Sequence, residues 1–323
     1  MYIVTGGAGF IGNVFVWKLN REGIDDILIV DSLGCSEKWK NLVKRRYADF
    51  IHKDAFYEML CGGTLPFKPK AVIHMGACSS TTERDADYLM ENNFRYSCAL
   101  ARWAVSKKIP FLYASSGATY GDGSRGFSDD DRVTPTLEPI NMYGYSKQLF
   151  DLWVMRNNLL GKVVGIKFFN VFGPNEYHKG EMQSVVRKAF FQIRDTGKVR
   201  LFKSHRAGFG HGEQVRDFVY VKDCVEVMWW FLQNPKARGI FNLGTGKART
   251  WNDLVKAVFK ASGVKPRIEY IDMPVEIRDQ YQYVTEAKMD KLRRAGCPVR
   301  CRSLEDAIED YVKGHLQQAD PYL

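Results

Sequence analysis

The chain has 323 residues, 45% of them hydrophobic, which suits one large domain or two closely joined ones and excludes a disordered chain. Its formal net charge is +10, from 47 basic and 37 acidic residues. The two signs are interspersed, and short runs such as Lys44-Arg45-Arg46 and Arg293-Arg294 read as solvated faces, so a polyanionic small ligand accounts for the excess as well as a nucleic acid would.

The first half alternates strand and helix. Strands are predicted at Tyr2–Thr5, Ile27–Val30, Ala71–Met75, Phe111–Ser115 and Val163–Phe168, each short and apolar on both faces as buried parallel strands are. Helical patterns fall between them, at Ile11–Arg21 and Phe94–Ser106. The alternation predicts an α/β doubly wound parallel sheet with helices on both faces. After about Asn170 the pattern changes. Gly173-Pro174 breaks the chain, and Gly208, Gly210 and Gly212 punctuate a loop before Arg216. A strand at Gly239–Asn242, a helix near Trp251–Ala261 and a last helix near Leu304–Leu316 follow. The expected division is a dinucleotide-binding domain over 1–169, with segments about 217–243 returning to it, and a smaller mixed α/β substrate lobe over about 170–216 and 244–323. No internal repeat or free linker is evident.

Seven cysteines make no C-x-x-C pair, and no histidine cluster joins Cys297 and Cys301, so reduced thiols and no metal site are expected. Met1 leads straight into Tyr2-Ile3-Val4, without the basic start and apolar stretch of a signal peptide, and no apolar run approaches the roughly 18 residues of a membrane span. A cytoplasmic protein with no membrane partner is expected.

Gly6, Gly9 and Gly12 follow the first strand and open the first helix with the spacing G-x-x-G-x-x-G. The first permits a tight turn, the second lets backbone approach a pyrophosphate, and the third lets the helix pack on the strand. The helix N-terminus then offers free N–H groups to phosphates. This predicts a Rossmann site for a dinucleotide. Asp31 ends the second strand about 20 residues on, where an acid binds ribose hydroxyls and favours NAD. Lys38 and Lys53 follow, and either could hold a 2′-phosphate, so the choice between NAD and NADP stays open.

Tyr143 and Lys147 are four apart and share one helix face. A free tyrosine has a pKa near 10 and is a poor base at neutral pH. A nearby ammonium and a positive nicotinamide ring both favour the phenolate, which could then take an alcohol proton while hydride leaves. Ser115, Ser116 and Thr119 lie at the end of what reads as the fourth strand, where open α/β sheets bind ligands. One of these hydroxyls could hold the substrate oxygen, and Ser116 is the one assigned.

The stretch Thr5-Gly6-Gly7-Ala8-Gly9-Phe10-Ile11-Gly12 with Tyr143-x-x-x-Lys147 resembles the extended short-chain dehydrogenase/reductases, which act mostly on nucleotide sugars as epimerases, dehydratases and reductases. Gly76-Ala77-Cys78-Ser79-Ser80-Thr81-Thr82, Met142-Tyr143-Gly144-Tyr145-Ser146-Lys147, Phe169-Asn170-Val171-Phe172-Gly173-Pro174, His178-Lys179-Gly180, Arg216-Asp217-Phe218-Val219 and Gly239-Ile240-Phe241-Asn242-Leu243-Gly244-Thr245-Gly246 resemble its ADP-heptose 6-epimerase branch. With the N-terminus they run through nearly the whole chain in order. The resemblance implies an isomerase with one tightly held NADP per subunit. It implies cofactor contacts from Phe10, Ile11, Asp31, Ser32, Lys38, Lys53, Met75, Gly76, Ala77, Cys78, Ser79, Asn92, Lys147, Val171 and Lys179, beside Gly6, Gly9 and Gly12. It also implies an ADP-heptose substrate touched by Asn170, Glu181, Lys188, Phe202, Arg216 and Tyr281. A homo-oligomeric ring, a pentamer, and a role in building heptose for an outer-membrane lipopolysaccharide follow from the same likeness. The branch often has Glu at Met75, a small or basic residue near Glu181 and His near Lys188. Glu181 beside a diphosphate is unfavourable unless it turns away.

An epimerase must take hydride from one face of C6 and return it to the other. The keto group turns over between the two steps, so its oxygen points to a different place. One acid/base group cannot easily serve both positions. Tyr143 is assigned to one and Lys179 to the other, because a lysine can act as a base when burial or nearby positive charge lowers its pKa. A UDP-hexose 4-epimerase is the rival reading, but it leaves His178-Lys179-Gly180 unexplained. A 4,6-dehydratase needs an acidic pair where Gly117-Ala118-Thr119 stands. A non-catalytic NADP-binding regulator has no use for Tyr143 and Lys147, and a nucleic-acid binder lacks a basic stripe with interleaved aromatics.

Overall fold

The structure, a computed structural model, describes residues 1–278 and 281–323. Its strands are β1 (Tyr2–Thr5), β2 (Ile27–Asp31), β3 (Asp49–His52), β4 (Ala71–His74), β5 (Phe111–Ser116), β6 (Val163–Phe168), β7 (Asn170–Phe172), β8 (Val199–Phe202), β9 (Val215–Arg216), β10 (Phe218–Tyr220), β11 (Gly239–Leu243), β12 (Arg249–Thr250) and β13 (Ile268–Ile271). Seven of them make one sheet in the order β3-β2-β1-β4-β5-β6-β11, and every pairing is parallel. The order reverses direction at β1, so a crevice opens beyond the carboxyl ends of β1 and β4.

Apart from the edge strand β3, the sheet is buried on both faces because its strands are mostly apolar. Val4, Ile29 and Ile73 look into one core, with Phe15 of α1 (Phe10–Arg21) and Val225 of α7 (Val221–Gln233). Ile3, Leu28 and Val72 look into the other, with Leu100 of α4 (Tyr96–Ser106) and Phe150 of α5 (Met142–Arg156). This is the doubly wound sheet expected from the alternation. The strand carrying Ser115 and Ser116 is the fifth, not the fourth. β3 escapes a sequence reading because it is an edge strand of four residues with exposed charged or polar ends, Asp49 and His52, and only two apolar positions. The helix predicted from Phe94 begins eight residues earlier, at Ala86 behind its cap Asp85, and passes through a wide turn over Met90–Arg95 into α4, and the last helix, Leu304–Tyr311, likewise ends in a wide turn over Val312–Leu316.

Downstream of β6 the chain builds smaller pieces. β7 pairs parallel with β10, β9 antiparallel with β12, and β8 parallel with β13. Helix α6 (Val185–Thr196) is capped by Ser184, and α8 (Trp251–Ser262) by a reciprocal Thr250–Asp253 box. Their apolar faces, with Val186, Phe190, Val255 and Phe259, join the core on the α1 side of the sheet. Helix α7 packs on α1, so the segment after β10 returns to the sheet.

Candidate active site

The glycine turn after β1 is fixed by close contacts. Gly6 has φ +67°, and a Cβ there would stand 2.6 Å from Gly76 N, where β1 and β4 end side by side. A Cβ on Gly12 would stand 2.2 Å from Gly6 O. Helix α1 has no side-chain cap at Gly9, so its first N–H groups face the crevice unmet by a side chain. A cradle that only glycine can line, at a bare helix N-terminus, fits a pyrophosphate.

Two cavities run along this edge and share Gly6, Asp31, Lys38, Gly76 and Ala77. The first, about 320 Å³, is lined also by Gly9, Phe10, Ile11, Gly12, Met75, Ser79, Ser116, Tyr143, Lys147, Val171 and Lys179. The second, about 250 Å³, is lined also by Ser32, Lys53, Cys78 and Asn92. The structure therefore brings all of the predicted cofactor and catalytic positions to one continuous crevice. Asp31 is already engaged: its carboxylate accepts from Ala8 N (2.9 Å), Ser32 N (2.7 Å) and Lys38 Nζ (2.5 Å). Tyr88 and Tyr96, which sequence reasoning passed over, and His178, which it quoted in a motif without a site role, also line these walls.

Asn141 caps α5 by accepting from Gly144 N at 2.8 Å, which fixes where the helix face with Tyr143 and Lys147 begins. Lys147 is buried, donates to Ala114 O at 2.9 Å, and is lowered by desolvation to about 8. Burial raises the Tyr143 phenol above its ordinary value, with Ser116 opposing. The expectation that Lys147 lowers Tyr143 is therefore not met within the protein alone, because the ammonium is turned to a strand carbonyl and enclosure of the phenol dominates. The three candidate hydroxyls separate cleanly. Ser115 donates to Asp151 and Thr119 to Ser116 O, which leaves Ser116 as the one beside Tyr143.

Lys179 sits on a short turn, Tyr177–Met182, that follows β7 and is kinked at Gly180, φ +51°. Lys179 N donates to Glu176 O at 3.1 Å, and the buried Glu176 carboxylate accepts from Ser184 N and Oγ and from Tyr311 Oη. Desolvation lowers the Lys179 pKa and Glu176 opposes. Lys179 lines the 320 Å³ cavity and also a third one of about 260 Å³ that holds Asn170, Ser184 and Trp251.

The other predicted substrate positions are dispersed. Arg216 is buried between the rings of Trp251 and Tyr281, at 5.7 and 5.1 Å from their centroids, and donates to Val215 O and Gln282 O. Tyr281 lines a separate hollow with His205 and Arg206. Phe202 ends β8, half-buried. Glu181 turns out into solvent and pairs there with Lys188 at 3.1 Å, so these two are not brought to the crevice. Among the described residues no group of three or more His, Cys, Asp or Glu side chains could hold a metal, and no helix is long and apolar enough to cross a membrane.

A sequence model described as the NAD dependent epimerase/dehydratase family matches residues 2–244. The chain belongs to the NAD dependent epimerase/dehydratase family. The match to this epimerase/dehydratase family ends just after β11, so Trp251 and Tyr281 lie beyond it. Over the full length of both chains, the protein is 62% identical to an ADP-L-glycero-D-manno-heptose-6-epimerase of Nitratidesulfovibrio vulgaris (strain DP4). It is 49% identical, again over all of both chains, to one of Fusobacterium nucleatum. The crystal structure of the Helicobacter pylori ADP-L-glycero-D-manno-heptose-6-epimerase superposes with a TM-score of 0.81 at 25% identity, covering 97% of this chain and 95% of that one.

Proposed function

We propose that the protein is an isomerase that interconverts ADP-D-glycero-β-D-manno-heptose and ADP-L-glycero-β-D-manno-heptose by oxidation and re-reduction at C6. The full-length likeness to the named epimerases supports the reaction. The observation that carries the mechanism is that two proton-handling side chains from different elements, Tyr143 of α5 and Lys179 of the turn after β7, face one cavity.

The glycine cradle and the helix N-terminus would hold the cofactor pyrophosphate, with Lys38 and Lys53 beside the adenosine ribose. Because Asp31 is neutralised by Lys38, the pair offers a 2′-phosphate no net repulsion, and Lys53, paired with Asp54 at 3.0 Å, is a further donor lining the same cavity, which supports NADP over NAD. The bound dinucleotide supplies a hydride acceptor and donor. Tyr143 Oη takes the C6 hydroxyl proton, and the Ser116 hydroxyl holds the same oxygen. Lys147 keeps positive charge beside the phenolate. After the keto group turns over, Lys179 Nζ exchanges a proton with the oxygen in its new place. In this direction Lys179 is the acid and gives up its proton as hydride returns; in the reverse direction the neutral amine is the base, and burial, which lowers its pKa, eases both. Arg216, beside the Trp251 and Tyr281 rings, and Asn170, which shares a cavity with Lys179, are the substrate contacts the site supports best. A cytoplasmic setting and a homo-oligomeric ring, a pentamer, complete the reading and rest on the family resemblance.

The test is proton NMR of ADP-D-glycero-D-manno-heptose incubated with purified protein and no added cofactor. Appearance of the L-glycero epimer supports the reaction and a resident cofactor. An unchanged spectrum, with NADP demonstrated in the protein, moves the substrate to another nucleotide sugar such as a UDP-hexose.

A further inference from the structure

Behind the strand end that carries Ser116 lies an ion pair with no exposed surface, Asp151 and Lys167 at 2.8 Å. Burying two charges is costly unless their polar atoms are met, and here they are. Asp151 Oδ2 accepts from Lys167 Nζ and from Ser115 Oγ (2.7 Å), and Oδ1 accepts from Tyr113 Oη (2.9 Å). Lys167 also donates to Thr119 Oγ1 (2.7 Å), whose hydroxyl in turn donates to Ser116 O (2.8 Å). Apolar residues of similar volume would fill this space without the desolvation cost, so stability alone does not explain the pair.

Its position does. Asp151 follows Lys147 on α5 by the same four residues that separate Lys147 from Tyr143, so all three share a face. Lys167 comes from the neighbouring strand, paired in register with Ser115. Asp151 is the strongest influence opposing the desolvation of Lys147. The other titratable groups around Lys147 are Tyr143 on its own helix, Cys78 in the loop after β4, and His74 at the end of β4, which burial holds neutral. Asp151 is the carboxylate among them.

We propose that the Asp151–Lys167 pair is a positioning device for Lys147: the Asp151 carboxylate keeps the Lys147 ammonium charged inside the fold, Lys167 limits that pull, and their hydrogen bonds pin the strand end Ser115–Thr119 on which Ser116 sits. The proposal rests on the reading of Lys147 as the partner of Tyr143. Neither Asp151 nor Lys167 reaches the crevice, so each acts through another residue.

The test is a pH titration of the full-length holoenzyme labelled with ¹³C at lysine Cε, with the Lys147 signal identified by its loss in Lys147→Arg. Asp151→Asn, which keeps the shape and removes the charge, moves the Lys147 midpoint down by about one pH unit or more, and Lys167→Gln moves it up by a similar amount. Opposite shifts from the two halves of one pair are what a merely structural role cannot give. Shifts in the same direction, or none in either variant, overturn the proposal. Should Lys167→Gln fail to fold, Tyr113→Phe removes one donor from Asp151 without baring a buried charge, and the midpoint must still rise; an unmoved midpoint overturns the proposal. Epimerisation retained in Lys147→Met would sink the catalytic reading of Lys147 instead, while opposite shifts would still establish the pair's hold on it.

Discussion

Lys179 Nζ lies over the ring of Phe10, 5.4 Å from its centroid, which brings the turn after β7 against the first residue of α1. The ammonium thus meets a ring face on one side and open cavity on the other. Lys179→Ala should reduce epimerisation by roughly 10²–10⁴-fold, the usual range for an acid/base group, with little change in cofactor content of the purified protein. Steady-state rates and released dinucleotide are the two readings. Near-normal turnover would leave Lys179 as a cofactor contact and end the two-base assignment.

Tyr143→Phe removes the hydroxyl and leaves the ring, so the wall of the cavity survives. Epimerisation should fall by a similar factor of roughly 10²–10⁴ while the dinucleotide stays bound. Turnover close to that of the parent enzyme would show that another group takes the proton.

How much of this was legible beforehand differs from element to element. The parallel strands were, because Ile27–Asp31 and Val163–Phe168 are buried on both faces and carry few polar residues to mislead. Lys167 breaks that apolar run, and a lone lysine inside such a strand was a signal left unused. So was Asp151, which continues the four-residue spacing of Tyr143 and Lys147. The short edge strand β3 gives almost no periodic signal, being half-exposed. The substrate positions were the least legible. Glu181 pairs with Lys188 in solvent, and Arg216 meets the rings of Trp251 and Tyr281 from distant parts of the chain, a long-range contact that no local pattern encodes.

Lys38 should govern which dinucleotide is held. Its Nζ bonds Asp31 and Ser32 O, so removing it bares a carboxylate suited to ribose hydroxyls and hostile to a 2′-phosphate. Lys38→Ala should shift preference from NADP toward NAD by about tenfold or more, a difference near 1.4 kcal/mol. Competitive binding of the two dinucleotides to cofactor-stripped protein measures the ratio, and an unchanged ratio would remove Lys38 from the specificity argument.

Gly12→Ala should cost both stability and cofactor. The added Cβ would need to occupy a point 2.2 Å from Gly6 O, so either α1 or the glycine turn must move. Overpacking of this kind costs about 1–3 kcal/mol. A lower Tm together with loss of bound dinucleotide is expected. A normal Tm with cofactor retained would mean that the turn is more compliant than its contacts imply.

Lys147 gives a pH dependence whose sign can be worked out. Burial lowers it from 10.5 to about 8. Below pH 8 the lysine is charged in both folded and unfolded chains, and the folded state carries the full cost of desolvating it. Between 8 and 10.5 the unfolded chain holds a proton that the folded chain has released, so stability rises with pH across that window. Lys147→Met removes the buried charge, and at pH 7 it should melt about 3 °C or more above the parent. The gap should close as pH rises through the window, because the parent sheds its penalty there and the variant has none to shed. Thermal melts of both proteins between pH 7 and 10.5 test this. A gap that stays constant with pH would mean that the difference comes from packing and not from the charge.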